Sequence, residues 1–269
     1  MLETGNKTLI KPRLTLRFSR NTLSFSVIDR SIPEQLRFEP YIVKSGISMA
    51  ANLRGAFKED NILQRQFDNA RVLIDTPVLL VPIEEFNESK TALLYHHAFT
   101  NTENNNVLHT VLPELNAVAV FSINKDLKLV LSDHFSNIRY LPTMMPVWNH
   151  LHKRSFGGSH NKLYGYFHDK KLDIFCFDKN RFKFSNSFET PHSKDAVYFL
   201  LYVWKQLNMD VHHDELYLYG DIPEKEELLT TLKLYLQKVI AINASAEFNR
   251  APITQIKGLP FDLLTLYTK

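Results

Sequence analysis

The chain has 269 residues, 44 % hydrophobic and 12 % aromatic, which is length for one large domain or two ordinary ones with a sizeable core. Its 32 basic and 29 acidic side chains nearly balance and form no Lys/Arg-rich run, so nucleic acid is not indicated, and the single cysteine, Cys176, excludes an internal disulfide and fits a reducing compartment. Eight glycines, against an average usage of about 7 %, leave little material for phosphate-binding loops, where backbone N–H groups close on an anion only if no Cβ intervenes.

Residues Met1–Asn6 show no basic region leading into an apolar run, and no stretch approaches the ~18 apolar residues of a bilayer span. The expectation is a cytoplasmic protein without a membrane span. Leu14, Leu16 and Phe18, then Leu23, Phe25 and Val27, alternate with polar residues around the turn Ser19–Thr22, predicting a hairpin over 14–18 and 23–29. Leu36 and Phe38 add a short strand over 35–39. A helix over 48–57, a strand over 71–74 and a Pro-punctuated extended stretch over 78–82 follow. Asn87 and Glu88 open a helix to Phe99, and strands over 107–112 and 117–123 flank Pro113. Asn124 caps a helix in which Leu127, Val130, Leu131 and His134 recur at helical spacing. A strand over 138–141 and a helix over 145–152 close the first half. The polar segment His152–His160 holds the Gly157-Gly158 pair, so the predicted domains are 10–152 and 162–269, joined by a linker at 153–161.

The opening pattern then returns. Leu163, Phe167, Leu172 and Asp178 match Leu14, Phe18, Leu23 and Asp29 at one constant offset, and Phe182, Phe184, Asp221 and Pro223 match Leu36, Phe38, Asp75 and Pro77 at a second, similar one. An offset held across several elements predicts an internal duplication. Ser193 is expected to cap a helix over 196–207 whose apolar residues nearly encircle it, which predicts a helix sandwiched between layers. A strand over 215–219, a helix over 223–238 and a strand over 239–241 complete the half, so each half reads β-β-β-α-β-α-β.

Two such halves, each starting on a hairpin, resemble the actin-like ATPase superfamily. Val81-Pro82-Ile83-Glu84-Glu85 and Thr91-Ala92-Leu93-Leu94-Tyr95 stand where its type IV pilus and type II secretion members carry a V-x-V-P-type stretch and a helix rich in Glu, Ala and Tyr. The chain is also similar to a bacterial family, known as a domain of unknown function, for which this fold has been described. The resemblance implies an α/β fold: a duplicated ribonuclease H-like (actin-like ATPase) architecture of two mixed-sheet domains flanked by helices.

The same resemblance places three nucleotide motifs. The metal-handling Asp of the first phosphate motif falls at Arg17 and its glycine at Ser19, with Arg20-Asn21-Thr22 completing the turn. The second phosphate motif falls at Tyr166, His168 and Leu172, and the adenosine motif at Gly220-Asp221-Ile222. All three depart from pattern. What this implies is a non-catalytic pseudo-ATPase, with no cofactor and no catalytic residue, acting through protein partners as a binding or scaffold module. Two alternatives stand beside it: a divergent actin-like ATPase, and a ribonuclease H-like nucleic-acid-processing enzyme using Asp75 and Asp221 with two metals.

Arg17 and Tyr166 read most simply as ordinary strand residues beside solvated turns, with Asp221 a turn or capping residue ahead of Pro223. A further reading gives the interdomain cleft an anionic ligand held by Arg17, Arg20, His168 and Lys170, with Gly220 and Asp221 completing the candidate set. His96 and His97 point about 100° apart on a helix, and His212-His213-Asp214 sit in a loop. Neither has metal-ligand spacing, so no metal is expected. Cys176 alternates with Ile174 in an apolar strand and reads as a small buried hydrophobe.

Overall fold

The computed structural model describes residues 13–65 and 67–268; Met1–Asn6 and positions 10–12 of the first predicted domain lie outside the described residues. The first half runs through β1 (Leu14–Phe18), β2 (Leu23–Ile28), β3 (Leu36–Tyr41), α1 (Met49–Glu59), β4 (Asn69–Ile74), β5 (Leu79–Pro82), α2 (Thr91–Ala98), β6 (Asn105–Leu112), β7 (Ala117–Asn124), α3 (Lys125–His134), β8 (Asn137–Pro142) and α4 (Met144–Ser155). The second runs through β9 (Lys162–His168), β10 (Lys171–Asp178), β11 (Arg181–Glu189), α5 (Ser193–Gln206), β12 (Glu215–Gly220), α6 (Lys225–Lys233), β13 (Val239–Ala241), α7 (Ala244–Glu247) and α8 (Phe261–Tyr267).

Two five-stranded mixed sheets form the frame, ordered β3-β2-β1-β4-β8 and β11-β10-β9-β12-β13. Element for element the two orders are the same. In each, the opening hairpin is antiparallel and the fourth and fifth strands join parallel to the first. Alternation sends Leu14, Leu16 and Phe18 to one face, against Leu53 of α1 and Leu127 and Leu131 of α3. Thr15 and Arg17 go to the other face, where α8 lies: the Tyr267 hydroxyl donates to Thr15 Oγ1 at 2.7 Å. In the second sheet Leu163 and Leu172 meet Leu200 of α5 and Leu228 of α6. Tyr164, Tyr166 and Tyr219 point the opposite way, onto Trp148 of α4 and Phe261 of α8. Thus α4 and α8 form a central layer shared by both sheets.

Caps account for the helix starts. The Ser48 side chain accepts the Ala51 N–H, and Asn124 accepts those of Asp126 and Leu127. Between β4 and α3 the first half carries an insertion, the antiparallel sheet β5-β7-β6 with α2 against it, so the β-β-β-α-β-α-β order holds there only around this addition. Tyr95 anchors it, fully buried and donating its hydroxyl to the Pro77 carbonyl at 2.8 Å.

Four local expectations need correction. Helix α5 is not sandwiched: Tyr198 and Tyr202 are 62 % and 49 % exposed and stack on each other on its outer face, their amphipathic rings tolerating water where aliphatic side chains would not. Its N-cap position is His192, whose N–H donates to Asp195, while the Ser193 hydroxyl donates to Glu224 instead. Helix α6 stops at Lys233 rather than 238, because the chain must turn to bury Leu236 and lay Val239 beside Leu216. Asp221 does not cap α6, whose N-cap position is Glu224; the Asp221 N–H donates back to the Phe167 carbonyl at 3.0 Å. The Cys176 expectation holds: the thiol is buried, and burial pushes its pKa up to about 11.

Candidate functional site

The hairpins β1–β2 and β9–β10 face each other across the junction of the halves, and side chains of both meet there. Arg17 leaves β1 on the α8 face and is 3 % exposed. Its Nε donates to both Asp262 carboxylate oxygens at 2.9 and 3.0 Å, and Nη2 donates to Asp262 and to Asp169, each at 2.9 Å. Tyr166 completes the arrangement by donating its hydroxyl to Asp262 at 2.9 Å. Asp262, 0 % exposed, sits in the first turn of α8 beside the buried Phe261, Leu263 and Leu264.

Asp169 reaches Arg17 because the turn between β9 and β10 is a two-residue one in which Asp169 and Lys170 both take positive φ, 47° and 63°. That is the geometry favoured for tight hairpins, and Asp tolerates it better than most residues. His168, 5 % exposed, places Nδ1 3.2 Å from Asp169 and Nε2 2.5 Å from Asp173. Burial pulls its pKa down, but the hydrogen bonds to the two carboxylates and the charges of Asp173 and Asp75 outweigh that and push it up to about 10. At neutral pH the ring is therefore an imidazolium donating from both nitrogens. For Asp169 burial pulls upward, yet the His168 and Arg17 contacts hold its carboxyl well below the usual range. A second tie crosses the halves beside the first: Lys171 Nζ donates to Asp75 at 3.0 Å, and Ser19 Oγ donates to the same carboxylate at 2.7 Å.

Arg17 and Tyr166 are therefore not ordinary strand residues, and the turns beside them are not simply solvated. Of the four cations expected to hold an anion together, Arg17 and His168 are buried and matched by carboxylates. Arg20 is exposed and meets Glu189 at 3.3 Å, and Lys170 is exposed on its turn. Gly220 is required by packing: at φ +84° a Cβ would run into the Phe167 carbonyl and the Tyr166 ring. Asp75, His168 and Asp169 place ligand-type atoms within 4.8 Å of one another, an arrangement the histidine spacings did not suggest. Its donor set is nonetheless engaged: the imidazolium has no lone pair to offer, and Asp75 already accepts from Lys171 and Ser19. Asp75 and Asp221 follow the fourth strands of the two halves and line different recesses, while the first strands present Arg17 and Tyr166, both bound to Asp262, where a two-metal nuclease needs a carboxylate.

Those recesses flank the junction, of about 730 and 630 Å³. One joins the end of β4 (Asp75, Thr76) to β10–β11 (Asp173, Phe182); the other joins the end of β12 (Gly220, Asp221) to β2–β3 (Ser24, Phe38). They are counterparts, each built from the fourth strand of one half and the outer strands of the other. Asp262, Asp169 and Lys171 are the contributors that local sequence reading missed. The available signals were an Arg and a Tyr at interior strand positions and a single Asp on the buried side of Phe261-Asp262-Leu263-Leu264.

No curated protein matches the chain. Among solved structures, a Bacteroides thetaiotaomicron protein with an actin-like ATPase fold and unknown function is 27 % identical, with a TM-score of 0.81 over 95 % of each chain. The PilM–PilN type IV pilus biogenesis complex contains a chain 10 % identical, at a TM-score of 0.53 over 87 % of this chain and 89 % of that one. The cytoplasmic domain of EpsL, an inner membrane component of the type II secretion system of Vibrio cholerae, is 13 % identical, at a TM-score of 0.44 over 83 % of this chain and 94 % of that one. Residues 4–239 match the family described as protein of unknown function (DUF3822). The fold is that of the actin-like ATPases, and the chain belongs to the DUF3822 family.

Proposed function

We propose that this is an actin-like protein in which nucleotide hydrolysis has been abandoned, leaving a non-catalytic module that binds or scaffolds protein partners in the cytoplasm. The observation that supports it is Arg17. Where relatives of this fold would carry a carboxylate to handle the metal, a buried guanidinium is held by Asp262 and Asp169. A metal–nucleotide complex would meet a cation where it needs an anion, and carboxylates where its phosphates need donors. Admitting it would separate Arg17 from its carboxylates, and a buried charge left uncompensated costs about 3–5 kcal/mol. The shared strand order of the two sheets supports an ancestral duplication of a unit spanning 10–152 and 162–269. That PilM was solved as a complex with PilN supports a protein partner here; no helix among the described residues is long and apolar enough to cross a membrane.

The test is thermal unfolding with millimolar Mg·ATP, alongside a phosphate-release assay. An unmoved midpoint and no release are expected. A rise of several degrees, or turnover abolished by substitution at Asp75 or Asp169, would replace this reading with that of a divergent ATPase.

A further inference from the structure

Away from the interdomain cleft, toward the opposite end of β4 from Asp75, three arginines collect across the neighbouring strands β1, β4 and β8 of the first sheet. Arg71 and Arg139 are in-register partners on the parallel strands β4 and β8, so their side chains leave the same face side by side. Arg13 lies just before β1, whose Thr15 is the register partner of Arg71, and period two puts it on that face as well. In-register like charges repel, and a globular protein ordinarily interleaves carboxylates among them. Here, among the described residues, no carboxylate pairs with Arg13, Arg71 or Arg139. Arg71 Nε is in addition buried with no hydrogen-bond partner. Burial lowers the Arg71 pKa; Tyr267 pulls it back up, and the charges of Arg13 and Arg139 add to the lowering. A guanidinium left unmatched, crowded by its own kind and partly dehydrated, is a cost that folding alone does not explain.

Arg71 and Arg139 open onto a recess of about 440 Å³ between the sheet, α4 and helix α8, with Arg13 outside it. Lys153 adds a further cation at its wall, while Leu141, Met145 and Leu266 supply an apolar side; Glu114 is its one acidic lining residue. The volume lies within the ~300–1,000 Å³ of small-molecule sites, which likewise combine an apolar wall with a few convergent polar groups. Guanidinium forks match the paired oxygens of phosphate and carboxylate groups, and two adjacent forks suit more than one such group.

We propose that this recess is a binding site for a small oxyanion-bearing molecule, a phosphate ester or polycarboxylate, whose head group sits between Arg71 and Arg139 and whose body lies along Leu141 and Leu266. The site is independent of the cleft and of whether a nucleotide binds there.

The test measures the thermal midpoint of the full chain against pyrophosphate and against citrate, at fixed ionic strength to remove screening effects. A rise with at least one of the two is expected, and which of them acts identifies the head group. Arg139→Gln should weaken apparent affinity about tenfold or more, as expected for a lost charged hydrogen bond, and Arg71→Gln/Arg139→Gln should abolish the rise. Arg181→Gln, removing an exposed arginine paired with Glu84, should leave it intact. Ligand-free Arg71→Gln should unfold no lower than the parent, since crowding is relieved. Arg139 and Lys153 are exposed, so Arg139→Gln and Lys153→Gln carry the test if Arg71→Gln disturbs the sheet. Absence of protection by both anions, or undiminished protection in the double variant, overturns the proposal.

Discussion

Arg17 and Asp262 stand 245 residues apart in the chain and meet through three hydrogen bonds of 2.9–3.0 Å, with both side chains almost wholly out of water. The contact ties the first strand to the last helix, so sheet, central layer and second hairpin are fixed by one guanidinium. Removing one partner leaves a buried charge unmatched. Asp262→Ala should therefore destabilise by about 3–5 kcal/mol in urea unfolding. Replacing the group together, as Arg17→Met, Tyr166→Phe and Asp262→Leu, should recover a large part of that loss, because no buried side-chain charge is left unmatched: Asp169 keeps His168 and Thr22, and only the backbone N–H of residue 262 loses its acceptor. A loss below about 1 kcal/mol for Asp262→Ala would mean that the pair does not hold the layers together.

The His168 imidazolium gives the junction a defined response to alkali. Its folded pKa, raised to about 10, exceeds the unfolded value near 6.5. Its contribution is therefore fully present below about pH 6.5 and declines as pH rises toward the folded pKa, where it is lost. Asp169 acts at the other end: its depressed pKa gives stability above the ordinary carboxylate range that is lost on acidification. The unfolding midpoint of the parent protein should fall between pH 7 and 10, and His168→Gln should flatten that fall. Equal slopes in the two proteins would show that the imidazole carries no charge in the folded state.

Gly220 separates a packing requirement from a vestige of nucleotide binding. Its φ of +84° and the Phe167 carbonyl beside it leave no room for a Cβ. Gly258, at φ +76°, has nothing within 4 Å of the same position. Gly258→Ala should thus cost about 1 kcal/mol, the conformational penalty alone, whereas Gly220→Ala adds a backbone clash and should cost about 3 kcal/mol or more. Comparable losses at the two sites, read by denaturant titration, would remove the packing explanation.

Much of the frame was legible because it is local. The alternation at Leu14–Phe18 and Leu163–Phe167, and the offsets they share with later elements, anticipate the matching strand orders, and the actin-like resemblance rests on them. The site was only half legible. The positions of Arg17, Tyr166 and His168 could be placed, but their partners could not: period and propensity say nothing about which carboxylate, hundreds of residues away, a buried arginine will meet. Asp169 reaches it through a left-handed turn that carries no glycine to announce itself. Helix α5 failed for a different reason. Counting Tyr198 and Tyr202 as apolar made a solvent-facing surface look like a second buried one.

The remaining tie across the halves, Asp75 with Lys171, is less buried than Arg17–Asp262 and should be correspondingly weaker. The two side chains are 10 % and 18 % exposed, and Ser19 donates to the same carboxylate. Lys171→Met leaves Asp75 with one hydroxyl donor, and Asp75→Asn leaves Lys171 to solvent. A double-mutant cycle should return a coupling of about 1.5–3 kcal/mol, the range of a charged hydrogen bond, shrinking modestly with added salt. Because the pair links the end of β4 to the start of β10, its loss should also quicken amide exchange at the β9–β10 turn while leaving β12 and α5 protected. A coupling near zero, with unchanged exchange at that turn, would leave Arg17 and its carboxylates as the principal fastening between the two hairpins.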